Sequence, residues 1–306
     1  MSDFAFGLIG AGREAERHAA AISRTTGLTL SAVRSAKIAR AREFAERHLI
    51  SKSYEEIEYM LEDNDVDGVV AITSFLERAD AVRLGLLSQR PVISALPIAK
   101  QSGDLKSLIE LSEREGVPIV PALIYRSSKA IRFMKSADIG KVLKISVSYI
   151  FSKSESAFES ERETFSTLLH EGYLPLDILL YLGGRPESLS EAKSNIAKRS
   201  QYDDVICALF KFKSGAIGSF EMISSAYKEV MLSVTVYGEK GTLYFKNGVL
   251  TGYTEKDGRV EIVDNQDYLA SFYSDFITSF SRGEEMYATA EAALLVMKVA
   301  EALGVS

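Results

Sequence analysis

The sequence predicts an α/β protein in two parts: residues 1–123 as a doubly wound parallel sheet, and residues 124–306 as an α+β domain with a large, open, mostly antiparallel sheet. Three observations predict it. The chain opens on an apolar run, Phe6 to Ile9, that passes through Gly10-Ala11-Gly12 into a helical pattern. Apolar runs and helical patterns then alternate five times as far as Ala122, which is the signature of parallel strands joined by helical crossovers. From about Tyr125 the pattern shifts to period two, with short glycine turns between segments. A chain of 306 residues also exceeds what one hydrophobic core usually serves.

Taken in order, Phe6 to Ile9 reads as a buried strand and Glu16 to Arg24 as the helix that continues from it. Leu28 to Val33 is a short apolar strand, Ile38 to His48 a charged helix, and Tyr54 to Glu62 a further helical stretch. Val66 to Thr73 is almost continuously apolar between Asp-rich turns, as suits a strand buried on both faces. Glu77 to Leu87 and Gly103 to Glu115 are helical, while Pro91 to Ala95 and Val117 to Ala122 are strands. A helix through Met134 begins the second part. Ile145, Val147, Tyr149 and Phe151 then alternate with Ser146 and Ser148, the pattern of a half-exposed antiparallel strand. Ile206 to Phe212, Ala216 to Ile223, Met231 to Tyr237 and Thr242 to Phe245 follow, joined as hairpins through Ser214-Gly215, Gly238 to Gly241 and Asn247-Gly248. Tyr268 to Phe280 and Ala288 to Leu303 are closing helices. The polar stretch Ser152 to Glu163 reads as a mobile loop over a cleft.

Composition narrows the function classes. An apolar content of 46% with 25% charged side chains is that of an ordinary globular protein, and a net charge of -6 argues against a nucleic-acid-binding surface. No apolar run reaches the roughly 20 residues of a membrane helix. Cys207 is the single cysteine, so no internal disulfide can form and the expected home is the cytoplasm. The first strand begins so close to Met1 that no cleaved leader is expected. His18, His48 and His170 are scattered, so no metal site is expected from them. The expected partners are a small-molecule substrate and further copies of the chain, as a dimer or tetramer, because an open sheet with an apolar outer face needs covering. Neither nucleic acid nor membrane is expected.

Gly10, Gly12 and Ala15 fill the G-x-G-x-x-G/A pattern of a dinucleotide fingerprint. Gly10 permits the tight turn, Gly12 lets the backbone approach a pyrophosphate, and Ala15 allows the helix to pack closely on the strand. The amide groups and positive dipole end of that helix form an anion site. Glu14 places a carboxylate there, which repels a pyrophosphate or occupies the site itself, and Arg13 and Arg17 offset it.

Together these segments resemble the glucose-fructose oxidoreductase, inositol dehydrogenase and MocA family nearly end to end. The matching landmarks are Gly7-Leu8-Ile9-Gly10-Ala11-Gly12 with His18, Asp65-Val66-Asp67-Gly68-Val69-Val70 before Thr73, Ile139-Gly140-Lys141-Val142, Asp203-Asp204-Val205, and Val236-Tyr237-Gly238-Glu239-Lys240-Gly241-Thr242. The resemblance implies an N-terminal Rossmann domain, a C-terminal domain whose open sheet often builds oligomers, a nicotinamide cofactor, and sugar-like or cyclitol-like substrates. It breaks at two catalytic landmarks. Where the family carries Glu-Lys-Pro, this chain has Ala95-Leu96-Pro97, so Leu96 replaces the lysine. Where the family carries Asp-x-Gly-x-His on a helix, this chain has His170-Glu171-Gly172-Tyr173-Leu174, so His170 replaces the aspartate and Leu174 the histidine. A positioned acid or base contributes typically ~10²–10⁴ in rate, so losing both groups disables the usual proton relay.

Cofactor choice is read at the end of the second strand, where NAD enzymes hold the ribose diol with an acidic residue. Within Val33-Arg34-Ser35-Ala36-Lys37 the alignment puts Ser35 in the acidic position. No carboxylate repels a 2′-phosphate there, and Arg34 and Lys37 are placed to bind one, so the reading is NADP(H) over NAD(H), against the alternative that both are solvated loop charges. The candidate cofactor-binding set is Gly10, Gly12, Arg13, Ala15, Arg34, Ser35, Lys37, Thr73 and Pro97. The candidate catalytic set is His170, Tyr173 and Arg126, with His170 or Tyr173 carrying the proton and Arg126 orienting a polar or anionic substrate. Tyr125 is a neighbouring candidate, Asp177 reads as an orienting residue, and Lys100 as a solvated charge. The leading expectation is an NAD(P)-dependent oxidoreductase acting on a sugar, polyol or other small carbonyl or alcohol with a rearranged acid/base set. The alternative is a catalytically inactive nucleotide- or sugar-binding protein of the same fold.

Overall fold

A computed structural model describes residues 3–152, 167–197 and 203–304. The polar stretch expected as a loop beyond Ser152 lies outside them. The chain forms two compact units, one of Met1–Ile124 with Asp267–Leu294, the other of Tyr125–Gln266 with Leu295–Ser306.

In the first unit six strands, β1 (Phe4–Ile9), β2 (Leu28–Arg34), β3 (Lys52–Tyr54), β4 (Gly68–Ala71), β5 (Val92–Ser94) and β6 (Ile119–Pro121), form one sheet in the order β3-β2-β1-β4-β5-β6. Every pairing in it is parallel. The order reverses between β1 and β4, the switch point beside which such sheets bind ligands at the carboxyl ends of their strands. Phe6, Leu8, Val33, Val69, Val70, Val92 and Ile93 are fully buried, which explains why these strands read as continuous apolar runs. The crossovers are α1 (Arg13–Ser23), α2 (Ile38–His48), α3 (Ile57–Leu61), α4 (Phe75–Leu87) and α5 (Ser102–Glu115).

Two sequence expectations change here. Tyr54 to Glu62 is not one helical stretch: Lys52–Tyr54 forms the edge strand β3, and only Ile57–Leu61 is helical. The strand is pinned by side chains, since Lys52 Nζ donates to Asp63 and Asp65 at 2.7 Å and the Tyr54 hydroxyl donates to Asp63 at 2.7 Å. The boundary expected at residue 123 also assigned everything beyond it to the second part, whereas Asp267–Leu294 belongs to the first unit. The cause is aromatic packing. The helix Tyr268–Arg282 sets Phe276 and Phe280 against Phe4, at ring distances of 5.8 and 5.0 Å, and Tyr273 and Phe276 against Phe6, at 6.2 and 5.4 Å.

The second unit carries α6 (Lys129–Ser136), β7 (Val142–Ser152), α7 (Thr167–His170), α8 (Tyr173–Gly183), β8 (Pro186–Ser194), β9 (Val205–Phe212), β10 (Ile217–Ile223), β11 (Ser225–Gly238), β12 (Gly241–Lys246), β13 (Val249–Thr254) and β14 (Gly258–Val263). Its sheet runs β14-β13-β12-β11-β7-β10-β9-β8. The strand expected to be simply antiparallel, β7, lies inside the sheet and is parallel to β10 while antiparallel to β11. β8 was not anticipated, because its sequence PESLSEAKS is polar and it pairs on one side alone, as an edge strand does. Positive φ at Asn247 and Gly248 makes the turn that joins β12 to β13. One face of the sheet buries Ile145, Val147, Phe210, Phe220, Val234 and Phe245, and α8 packs there with Leu176, Leu179 and Leu180 buried. The other face shows Ser146, Ser148, Leu209, Ile217 and Tyr244. The helix Ala290–Ala302 closes the chain.

Candidate active site

The fingerprint residues occupy the carboxyl edge of the parallel sheet. Gly10 follows β1 at φ 123°, where a Cβ would stand 2.1 Å from the Ile72 carbonyl oxygen, so only glycine fits. Its amide donates to Arg34 O at 2.8 Å. Gly12 is the N-cap of α1, and a Cβ built there meets nothing within 4 Å. The space over the first helical turn is therefore open to a ligand. The first helical bond is Glu16 N–H to Gly12 O at 3.1 Å, and the amides of Arg13, Glu14 and Ala15 precede it as the turn's donors. Ala15 is fully buried and Arg13 is exposed. These residues fit a dinucleotide pyrophosphate. The carboxylate of Glu14 is turned to Arg17, which donates to it at 2.9 and 3.1 Å.

Beneath the loop, His18 is buried in α1 and its Nδ1 lies 2.7 Å from the Tyr273 hydroxyl. Burial, followed by the charges of Arg17 and Arg78, lowers its pKa to about 3, so the ring is neutral. Burial also holds the Tyr273 phenol protonated, well above its usual value. Glu14 Oε1 faces Nε2 at 3.7 Å, and a carboxylate only accepts, so the ring proton belongs on Nε2 and Nδ1 accepts from Tyr273.

The adenosine-side candidates differ in availability. Ser35 is half-buried, and its amide donates to Tyr54 O at 3.1 Å. Lys37 is exposed at the start of α2. Arg34 is not a free loop charge: its side chain is 13% exposed, Nε donates to Glu55 O at 2.7 Å, and Nη1 stands 3.7 Å from Glu77 Oε2. Thr73, after β4, donates its hydroxyl to that same oxygen at 2.8 Å. The Thr73 and Pro97 carbonyls are tied together by Arg78, whose Nη2 and Nη1 donate to them at 3.0 and 2.7 Å. Sequence reading missed Glu77 and Arg78. The spacing of four from Thr73 to Glu77 across a helix start was the available signal for the first; nothing local marked the second.

In the second unit Arg126 and Asp177 form a two-pronged pair, Nε to Oδ2 at 3.0 Å and Nη2 to Oδ1 at 2.7 Å, with side chains 11% and 1% exposed. The orienting role read for Asp177 is directed at Arg126. The Arg126 guanidinium lies over the Tyr181 ring at 4.7 Å and Lys135 Nζ over the same ring at 5.4 Å. Burial, then the neighbouring Arg126 charge, lowers the Lys135 pKa. Tyr173 is 2% exposed, and burial, with the Asp177 charge behind it, pushes its phenol well above its usual value. A phenol so placed keeps its proton. His170 is half-buried, and its Nδ1 lies 3.1 Å from Glu171 Oε1. That contact fixes the orientation of the imidazole ring beside Glu171. Glu171 is a neighbour in sequence that residue reading passed over. Leu96 and Leu174 are half-buried, and Lys100 is exposed. Among the described residues no group of three or more His, Cys, Asp or Glu side chains is gathered to hold a metal ion, and no helix is long and apolar enough to cross a membrane.

Residues 4–122 match the oxidoreductase family with an NAD-binding Rossmann fold, and residues 128–244 match the GFO/IDH/MocA C-terminal domain. The chain belongs to the GFO/IDH/MocA oxidoreductase family. It is 23% identical over 252 residues to myo-inositol 2-dehydrogenase of Thermotoga maritima, covering 79% of this chain and 75% of that one. It is also 23% identical over 223 residues to trans-1,2-dihydrobenzene-1,2-diol dehydrogenase of Bos taurus, covering 69% and 64%. Levoglucosan dehydrogenase in complex with NADH and levoglucosan shares the fold at a TM-score of 0.88, with 16% identity over 99% of this chain and 96% of that one. An oxidoreductase from Agrobacterium radiobacter in complex with NAD+, L-tartaric acid and magnesium does so at 0.89, with 17% identity over 98% and 95%. As a GFO/IDH/MocA member the chain is an oxidoreductase with an NAD-binding Rossmann domain.

Proposed function

We propose that this protein is an NAD(P)-dependent dehydrogenase of a cyclic polyol, sugar or related vicinal diol, in which His170 carries the proton. The observation that supports this most directly is the His170–Glu171 pair at the head of α8, in a chain that keeps the phosphate-binding turn at Gly10 and Gly12. Inositol, dihydrobenzenediol and levoglucosan, named for relatives and a structural neighbour, share secondary alcohols on a ring. The bound nicotinamide supplies the hydride acceptor or donor. Gly12, Arg13 and the first amides of α1 would hold the pyrophosphate. Thr73 and Pro97 would border the cofactor, their carbonyls held by Arg78. On oxidation the substrate hydroxyl gives its proton to the His170 imidazole, whose ring Glu171 orients. Tyr173 and the Arg126–Asp177 pair hold α8, the helix that follows this dyad.

NADP(H) over NAD(H) is the finer cofactor reading, supported by Ser35 in the acidic position and by the exposed Lys37. Titration of NADPH and NADH by fluorescence tests it, and tighter NADH binding overturns it. We further take the sheet face bearing Leu209, Ile217 and Tyr244 as the seat of a second copy in a dimer or tetramer. The net charge of -6 and the single Cys207 support small-molecule partners, rather than nucleic acid, and a reducing cytoplasmic compartment.

The test is turnover of NAD(P)H with cyclitols, aldoses, ketoses and anhydrosugars. Activity that falls by about 10² or more in His170→Ala, and less in Glu171→Gln, supports the reading. A second reading, a binding protein without turnover, is favoured by the apolar Leu96 and Leu174. Nucleotide binding with no turnover across the panel would establish it instead.

A further inference from the structure

We infer that Glu77 is a cofactor-specificity residue, set at the start of α4 to counter the charge of Arg34 and so limit attraction for a 2′-phosphate. The inference rests on the dinucleotide reading of the fingerprint and goes beyond it by assigning a residue that no fingerprint contains.

The geometry is particular. β2 and β4 flank β1, so the ends of all three strands stand side by side on the carboxyl edge of the sheet. From the β2 end Arg34 reaches out, braced on one side by Glu55 O at 2.7 Å and met on the other by Glu77 Oε2 at 3.7 Å. From the β4 end the Thr73 hydroxyl holds that same Oε2 at 2.8 Å. Arg78 in turn holds the Thr73 carbonyl at 3.0 Å. The Glu77 carboxylate is thus held by the Thr73 hydroxyl, whose own backbone Arg78 fixes, and is not simply a surface charge that happens to face an arginine. NAD enzymes usually take their discriminating carboxylate from the end of the second strand. In this chain that position is Ser35, and the carboxylate arrives from the fourth strand's helix instead. A 2′-phosphate drawn to Arg34 and Lys37 meets the repulsion of Glu77. The NADP(H) preference read from Ser35 and Lys37 is thereby tempered by Glu77, not reversed. Glu77 is 48% exposed, so its effect is screened by salt.

Fluorescence titration of NADPH and NADH against wild type, Glu77→Gln, Arg34→Met and the double variant tests this. Glutamine keeps an oxygen for Thr73 and removes the charge. The expected result is a rise of about tenfold in the NADPH-to-NADH affinity ratio for Glu77→Gln at low salt, shrinking as salt is raised, and no rise when Arg34 is already methionine. An unchanged ratio in Glu77→Gln, or the same rise without Arg34, overturns the role of Glu77 while nucleotide binding stands. Failure of wild type and variants alike to bind either nucleotide overturns the dinucleotide reading and this inference with it.

Discussion

Arg126 and Asp177 meet through two hydrogen bonds, of 2.7 and 3.0 Å, with the carboxylate almost wholly out of solvent. Two charges in such a place support each other, and removing one strands its partner. Arg126→Leu is expected to cost about 3–5 kcal/mol at neutral pH. Burial, the largest influence on Asp177, already pushes its carboxyl above the ordinary 3.8 against the pull of Arg126. Without Arg126 only the upward push remains. The folded variant then binds a proton before the unfolded chain does, so part of the loss returns as pH falls toward 3.8. Denaturant unfolding of the variant at pH 7 and pH 5 measures this. A deficit equal at both values contradicts it.

His18 makes the intact protein less stable in acid. Its pKa is about 3 when folded and 6.5 when exposed. Above 6.5 both states are neutral. As pH falls from 6.5 toward 3 the unfolded chain gains a proton that the folded chain refuses, and stability drops by up to about 1.4 kcal/mol per pH unit. In His18→Gln, which keeps an acceptor for Tyr273, this slope should disappear from the pH profile of unfolding. A profile as steep as that of wild type would assign the acid sensitivity elsewhere.

Gly10 and Gly12 should respond in opposite ways. Gly10→Ala drives a Cβ into the Ile72 carbonyl at a φ of 123°, and a loss of stability above about 1–3 kcal/mol is expected. Gly12→Ser enters open space and supplies a favoured N-cap, so thermal stability should hold or rise. Its added atoms stand where a pyrophosphate approaches, so NAD(P)H affinity should fall about tenfold, a change of about 1.4 kcal/mol. Differential scanning fluorimetry with and without nucleotide reads both effects. Equal nucleotide affinity in Gly12→Ser and wild type would count against the fingerprint as the binding site.

The apolar side chains at Leu96 and Leu174 give a gain-of-function test. Leu96→Lys with Leu174→His supplies the lysine and histidine that the family resemblance leads one to expect there, and a gain of about 10² in polyol oxidation is expected if only the relay differs. Steady-state assays with myo-inositol and related cyclitols supply the measurement. No gain over wild type would mean that the substrate pocket has diverged along with the relay.

Much of the fold was legible because it is written in local period. Continuous apolar runs gave β1, β2 and β4, and alternation around Ser146 and Ser148 gave β7. Gly10, Gly12 and Ala15 were legible for the same reason, since each answers to contacts within one turn. β8 was not, because an edge strand with polar side chains has no period to read. Partners were not legible either. His18 bonds Tyr273 from 255 positions away, Arg126 bonds Asp177 from 51, and Arg34 bonds Glu55 from 21.

By itself, then, the sequence determined the kind of each unit and the glycine turn at Gly10 and Gly12 that leads into α1. These follow from residue type and spacing, which need no long-range contact. Only the tertiary structure decided which charges are already engaged. It set Arg34 between Glu55 and Glu77, locked Arg126 to Asp177, and buried Tyr173. The physical reason is that a side chain's chemistry depends on its solvation and its nearest opposite charge, and packing brings those from distant parts of the chain.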